Sequence, residues 1–148
     1  MKKYFPFISF LVLLMLDQWS KYLVRKNLSL FESVPIIRNI FHLTYIENTG
    51  VAFGLFSGKT WLFLILSSII LIGLLFYLYK YGRNNKWACY GSAFVVSGAI
   101  GNMIDRMMKA SVTDMFDFQI WPIFNIADIA VCVGFILLAV FLFTSEDI

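Results

Sequence analysis

Residues 60–79 read TWLFLILSSIILIGLLFYLY, twenty positions without a charge. A helix of about 20 residues crosses the roughly 30 Å hydrocarbon core of a bilayer, so this run reads as a transmembrane helix. Three further stretches share its character. Tyr4 to Leu16 carries no charge, and its helix is expected to continue through Asp17 and Lys21 toward Arg25. Trp87 to Ile104 carries none, and Phe118 to Ser145 carries only Asp128. The spacing predicts spans over 4–25, 60–79, 87–106 and 123–144. The expected fold is an all-α membrane protein, one integral membrane domain over 1–148, with four transmembrane helices.

The long connection between the first two spans is read differently. Phe41, Leu43 and Tyr45 alternate with His42 and Thr44, which is strand periodicity. Turn residues follow at Asn48, Gly50 and Gly54. A small β-sheet is expected over 35–58 on the outer membrane face, and Val112–Ile120 could hold a further strand.

Composition points the same way. Hydrophobic residues make up 60% of the chain and charged residues 14%, against about 45–50% and 25% in soluble domains. The net charge of +3 is scattered rather than clustered, so no nucleic-acid surface is expected. Cys89 and Cys132 lie in apolar runs and read as free, buried, inert thiols. With His42 as the single histidine, no zinc site is expected. Lys2 and Lys3 precede an apolar stretch, but no small-x-small cleavage site follows, so the first helix reads as retained. Four spans put both termini on one side. Lys2, Lys3, Lys80, Arg83 and Lys86 mark that side weakly as cytoplasmic.

With one His and no metal-ligand set, a carboxylate pair is the simplest hydrolytic machinery this sequence can build. Asp17, Asp105, Asp114 and Asp128 all fall toward the opposite, outer face. An ionisable group at membrane depth is costly and faces a partner or a wet cavity. Asp17 and Lys21, spaced i, i+4, can pair on one helix face; Asp105 and Arg106 can simply end a helix; Asp117 can be a solvated loop residue. Asp128 has apolar neighbours on both sides and no Lys or Arg within ten positions. Two carboxylates brought close can share a proton, one acting as acid while the other activates water. Spacing leaves open whether Asp128 pairs with Asp105, Asp114 or Asp117. Ser20 and Lys21 point about 100° apart on a helix and make a poor dyad. No phosphate loop, dinucleotide fingerprint or HExxH zinc motif is present. A proton-coupled transporter, with Asp17 and Asp128 as relay groups, is the main competing reading. It would favour repeat symmetry between the two halves, and these halves differ.

Five blocks in order carry a resemblance: Asp17-Gln18-x-x-Lys21; Asn48-x-Gly50-x-Ala52-Phe53; Gly98-Ala99-x-x-Asn102-x-x-Asp105-Arg106; Val112-Thr113-Asp114; and Phe124-Asn125-x-Ala127-Asp128. Together they resemble the signal peptidase II family, the lipoprotein signal peptidases. The resemblance implies a membrane-embedded aspartic endopeptidase of the bacterial cytoplasmic membrane, its site toward the extracytoplasmic face. It implies that Asp114 and Asp128 are the catalytic pair and that Asn48, Asn102, Arg106 and Asn125 line the site. Gly50 would sit in a cradle over the substrate, while Asp17, Lys21 and Asp105 would support the site. The implied substrate is a prolipoprotein whose cysteine carries diacylglycerol, cut just before that cysteine. No metal or cofactor is implied, membrane lipid is the surrounding partner, and a monomer is expected.

Overall fold

In hydrocarbon a backbone can satisfy its own polar groups only as helix or closed barrel, and the charge-free runs of this chain become helices. The computed structural model describes residues 4–50, 60–82 and 84–144. In chain order it contains α1 (Phe5–Asn27), β1 (Ser33–Ile37), β2 (Phe41–Asn48), α2 (Thr60–Tyr77), α3 (Lys86–Lys109), β3 (Val112–Asp117) and α4 (Ile126–Thr144). One π-helical turn, Leu78–Gly82, extends α2. The expected β segment ran to 58; its part beyond Gly50, including Gly54, lies outside the described residues.

Among the described residues, three helices, α1, α2 and α4, are long and apolar enough to cross a membrane. The expected third span, 87–106, falls on α3, which is long but more polar. The physical reason is its position. It packs against α1, α2 and α4, and it buries Ser92, Ser97, Gly91, Gly98, Gly101 and Asp105. Small residues let neighbouring backbones approach. A Cβ added at Gly98 would lie 2.2 Å from the Ala127 carbonyl oxygen, and one at Gly91 would lie 2.9 Å from that of Gly134. On the α1 side, the Ser97 hydroxyl donates to the Phe10 carbonyl at 3.2 Å. By contrast, α2 presents Trp61, Ile69, Ile72 and Phe76 to its surroundings. Cys132 on α4 is exposed and Cys89 on α3 half-buried, not buried as expected, because each lines an open groove between helices.

The helix ends follow capping chemistry. The Asn85 side chain accepts from the Trp87 and Ala88 amides and starts α3. The helix stops at Ala110, which is left-handed at φ 59° and ψ 13°. Helix α4 begins at Ile126, three residues later than the expected 123, because Asn125 caps it.

The sheet is antiparallel in the order β1-β2-β3. Its third strand comes from the connection between α3 and α4. Phe41, Phe116, Phe118 and Phe124 pack together, Phe41 and Phe118 with ring centroids 5.0 Å apart. A bulge interrupts the β2–β3 pairing: Leu43 lies opposite Phe116 but Ile46 lies opposite Asp114. The sheet and the polar ends of α1, α3 and α4 meet at one end of the bundle, and the candidate site lies there.

Candidate active site

Asn125 organises this end. It is fully buried and caps α4, its Oδ1 accepting from the Asp128 amide at 2.9 Å. Asp128 answers from the first turn, its Oδ2 accepting from the Asn125 amide at 3.1 Å. This reciprocal pair is a capping box, and it fixes the Asp128 rotamer. The Asn125 Nδ2 then donates to Asp114 Oδ1 at 2.6 Å. One residue therefore touches both acids.

Two more amides complete the frame. Asn102 Nδ2 donates to Asp128 Oδ1 at 2.9 Å. Its Oδ1 accepts from Lys21 Nζ at 2.9 Å and from Asn125 Nδ2 at 3.1 Å. An ammonium only donates, so Lys21 forces the oxygen of Asn102 inward and its NH₂ onto Asp128. Asn48 Nδ2 donates to Asp114 Oδ2 at 3.0 Å. Its Oδ1 accepts from the Gly50 amide at 3.0 Å, a local turn that sets the same kind of orientation.

Among the described residues, no Lys or Arg comes within ion-pair distance of Asp114 or Asp128. Burial, and then the charge of Asp128, push Asp114 up to about 7, although the Asn48 and Asn125 hydrogen bonds oppose the rise. Arg106 lies over the Phe63 ring of α2, 5.0 Å from its centroid.

The acids open on a cavity of about 260 Å³ that Asn48, Gly50, Asn102, Arg106, Asp114 and Asp128 line, with Val112 and the segment Trp121–Phe124 as its apolar wall. A second groove of about 310 Å³ runs between α2, α3 and α4 along Phe63, Ile70, Val95, Val131 and Phe135. It shares Asn102, Arg106 and Asp128 with the cavity. Among the described residues, no three His, Cys, Asp or Glu side chains gather as metal ligands would.

The other acids have different surroundings. Asp17 Oδ2 pairs with Lys21 at 2.8 Å, and its Oδ1 accepts from the Ala127 amide at 2.9 Å, helping to cap α4. Asp105 lies 3.6 Å from Lys21 and 3.5 Å from Arg25, and accepts from the Thr113 amide at 2.9 Å. Asp117, read above as a solvated loop residue, is instead buried. Its carboxylate accepts from the Thr44 hydroxyl and the Gln119 amide, each at 2.8 Å. Neither Asp105 nor Asp117 lines the cavity that holds Asp114 and Asp128. Sequence reasoning missed the apolar wall of Trp121 and Phe124 and a cluster around Glu47 behind the sheet. Strand alternation was the available signal for the second, since Glu47 must face away from Asn48.

The sequence profile described as signal peptidase II matches residues 9–144. The chain belongs to the signal peptidase II family. Proteins named lipoprotein signal peptidase match it along most of their length. That of Halothermothrix orenii is 39% identical over 142 residues, covering 96% of this chain and 97% of its own. That of Lactococcus lactis is 40% identical and covers 99% of both chains. A solved bacterial membrane enzyme superposes with a TM-score of 0.88 at 30% identity, covering 97% of this chain and 93% of its own. A second gives 0.86 at 31% identity, covering 95% and 94%. Membership makes the chain a peptidase and a membrane protein, which removes the transporter reading. The resemblance drawn from the five blocks was to this family.

Proposed function

We propose that this signal peptidase II removes the signal peptide from prolipoproteins whose cysteine carries diacylglycerol, cutting just before that cysteine with Asp114 and Asp128. The observation that carries the reading is the shared contact of Asn125 with two acids that, among the described residues, form no ion pair. Such a pair keeps one proton between its members. Asp114, held neutral up to about pH 7 by burial and by Asp128, suits the acid role. Asp128 suits the base role.

The Asp128 carboxylate takes a proton from water as the oxygen attacks the scissile carbonyl carbon. Asp114 gives its proton to the carbonyl oxygen, and a gem-diol forms. Collapse breaks the C–N bond. Asp128 returns its proton to the departing nitrogen, and a gem-diol hydroxyl re-protonates Asp114. The products are a signal peptide ending in a carboxylate and a lipoprotein with a free amino group.

Arg106, at the junction of cavity and groove, can meet a lipid phosphate or a peptide carbonyl. The groove between α2, α3 and α4 offers apolar room for an acyl chain. In this reading α3 crosses the bilayer with the other three helices, and the sheet lies at the extracytoplasmic face. The test is purified protein in detergent acting on a diacylglyceryl-modified prolipoprotein, with the product read by mass spectrometry. Cleavage before the lipidated cysteine, unaffected by EDTA, is expected. Cleavage elsewhere, or dependence on a removable metal, would contradict the proposal.

A further inference from the structure

Behind the sheet, on the face turned away from the two acids, lies a second polar cluster that the proposed chemistry does not use. At its centre is Glu47 of β2. Its Oε1 accepts from the Tyr45 hydroxyl at 2.6 Å and from Lys109 Nζ at 2.7 Å. Its Oε2 accepts from the Ser111 hydroxyl. Lys109 also donates to the Thr113 hydroxyl, which in turn accepts from Arg25 at 3.0 Å. Glu47 lies directly opposite Thr113 in the β2–β3 pairing. Burial alone would raise the Glu47 carboxyl, but hydrogen bonds from Lys109, Ser111 and Tyr45 outweigh it and hold Glu47 below the usual carboxylate range. The same burial and the Glu47 contact push Tyr45 up to about 12. Glu47 is thus a fixed anion locked to the end of α3 and the start of β3.

Position gives this lock its consequence. Successive strand residues face opposite ways, so Asn48 points to the site as Glu47 points into the cluster. The bulge between Leu43 and Ile46 lies just upstream. A bulge disrupts the ladder locally, so the pairing before it does not by itself dictate the register after it. A slip of one residue would turn Asn48 away from Asp114. We propose that Glu47 is a positioning residue, its clamp on Lys109 and Ser111 fixing β2 on β3 and so holding the Asn48 amide on the Asp114 carboxylate. For its effect on catalysis, this inference rests on Asp114 being half of the catalytic pair.

The groups that bear on Asp114 are Asn48 of β2, Asn125 and Asp128 at the start of α4, Lys21 of α1 and Arg106 of α3. The Asn48 bond favours the ionised form of Asp114. Losing it must raise the pH at which Asp114 titrates.

Two measurements on the full chain in detergent test the clamp. The first needs no substrate: carbon-13 NMR of aspartate-labelled protein, with the Asp114 signal assigned by its loss in Asp114→Asn. Glu47→Gln is expected to move the Asp114 midpoint upward from about 7, in the direction of Asn48→Ala. An unmoved midpoint overturns the clamp. This result is independent of whether the protein cleaves anything, so failure of the peptidase reading stays distinguishable. The second is a kinetic cycle on lipid-modified prolipoprotein. Glu47→Gln should lower kcat about tenfold, with KM held within about twofold. In the Asn48→Ala background it should cost less than about twofold more, because it acts through Asn48. A full tenfold loss in that background marks a general structural role and overturns the proposal. If Glu47→Gln does not fold, Ser111→Ala, which removes one clamp contact and no charge, carries both measurements with the same deciding outcomes.

Discussion

Asp17 and Asp105 share one end of the bundle with Asp114 and Asp128, yet the two pairs are held in opposite ways. The first pair is neutralised by Lys21, at 2.8 and 3.6 Å, with Arg25 and Lys109 also near Asp105. Among the described residues, the second pair is held by amides, from Asn48, Asn102 and Asn125. A buried acid held by a cation serves structure, since removing either partner leaves the other buried and uncompensated. Where no cation stands beside them, burial and the mutual charge of two close acids hold a proton within reach of the pair, and neutral donors offset this only in part. Lys21 joins the two regions, because it neutralises one pair and orients the amide that serves the other.

Breaking the paired region should cost most. Lys21→Met leaves Asp17 and Asp105 buried without their shared cation, and a loss of about 3–5 kcal/mol is expected. Thermal unfolding in detergent reads it, and adding Asp17→Asn should recover part of the loss. A variant as stable as wild type would show that the two regions do not differ as described.

Gly98→Ala tests the ground beneath both regions. Its new methyl meets the Ala127 carbonyl at 2.2 Å, so α3 and α4 must separate. Overpacking of this kind costs about 1–3 kcal/mol. It should also lengthen the Asn102–Asp128 contact, lowering kcat more than it raises KM.

The unneutralised region should show itself in pH. The Asp114 value of about 7 lies above its ordinary 3.8, so the folded protein favours the protonated form. The stability this contributes is complete below 3.8 and is lost as pH rises toward about 7. If neutral Asp114 is the acid, kcat/KM falls above about pH 7, tenfold per unit, or about 1.4 kcal/mol. A rate that keeps rising past pH 8 would contradict this. The smallest effect is expected at the C-terminal end of α3. Ala110 sits at φ 59°, a conformation that costs an L-residue about 1–2 kcal/mol. Ala110→Gly should raise the unfolding temperature with little change in kcat.

Legibility in the sequence followed the range of the interactions. Charge-free runs and strand alternation are local, and the helices and β2 could be read from them. The i, i+4 spacing of Asp17 and Lys21 announced their ion pair. What could not be read depends on distant segments meeting. Nothing near Asp17 shows that its second oxygen caps α4 through Ala127. Nothing near Asp128 chooses among Asp105, Asp114 and Asp117. That choice depends on β3 pairing with β2, which sends Asp114 to the cavity and the neighbouring Thr113 to the Glu47 cluster. The apolar-run reading set 87–106 beside the other three spans, but α3 is the more polar helix, its Ser92, Ser97 and Asp105 side chains buried against protein.

The most direct test of the account is the cleavage rate of Asp114→Asn and Asp128→Asn beside wild type, with unfolding temperatures measured on the same samples. Each substitution keeps the shape of the side chain and removes its ability to exchange the proton. Both variants are expected to fold, and each to lose roughly 10³-fold or more in kcat. A folded variant of either residue with near-full activity would contradict it.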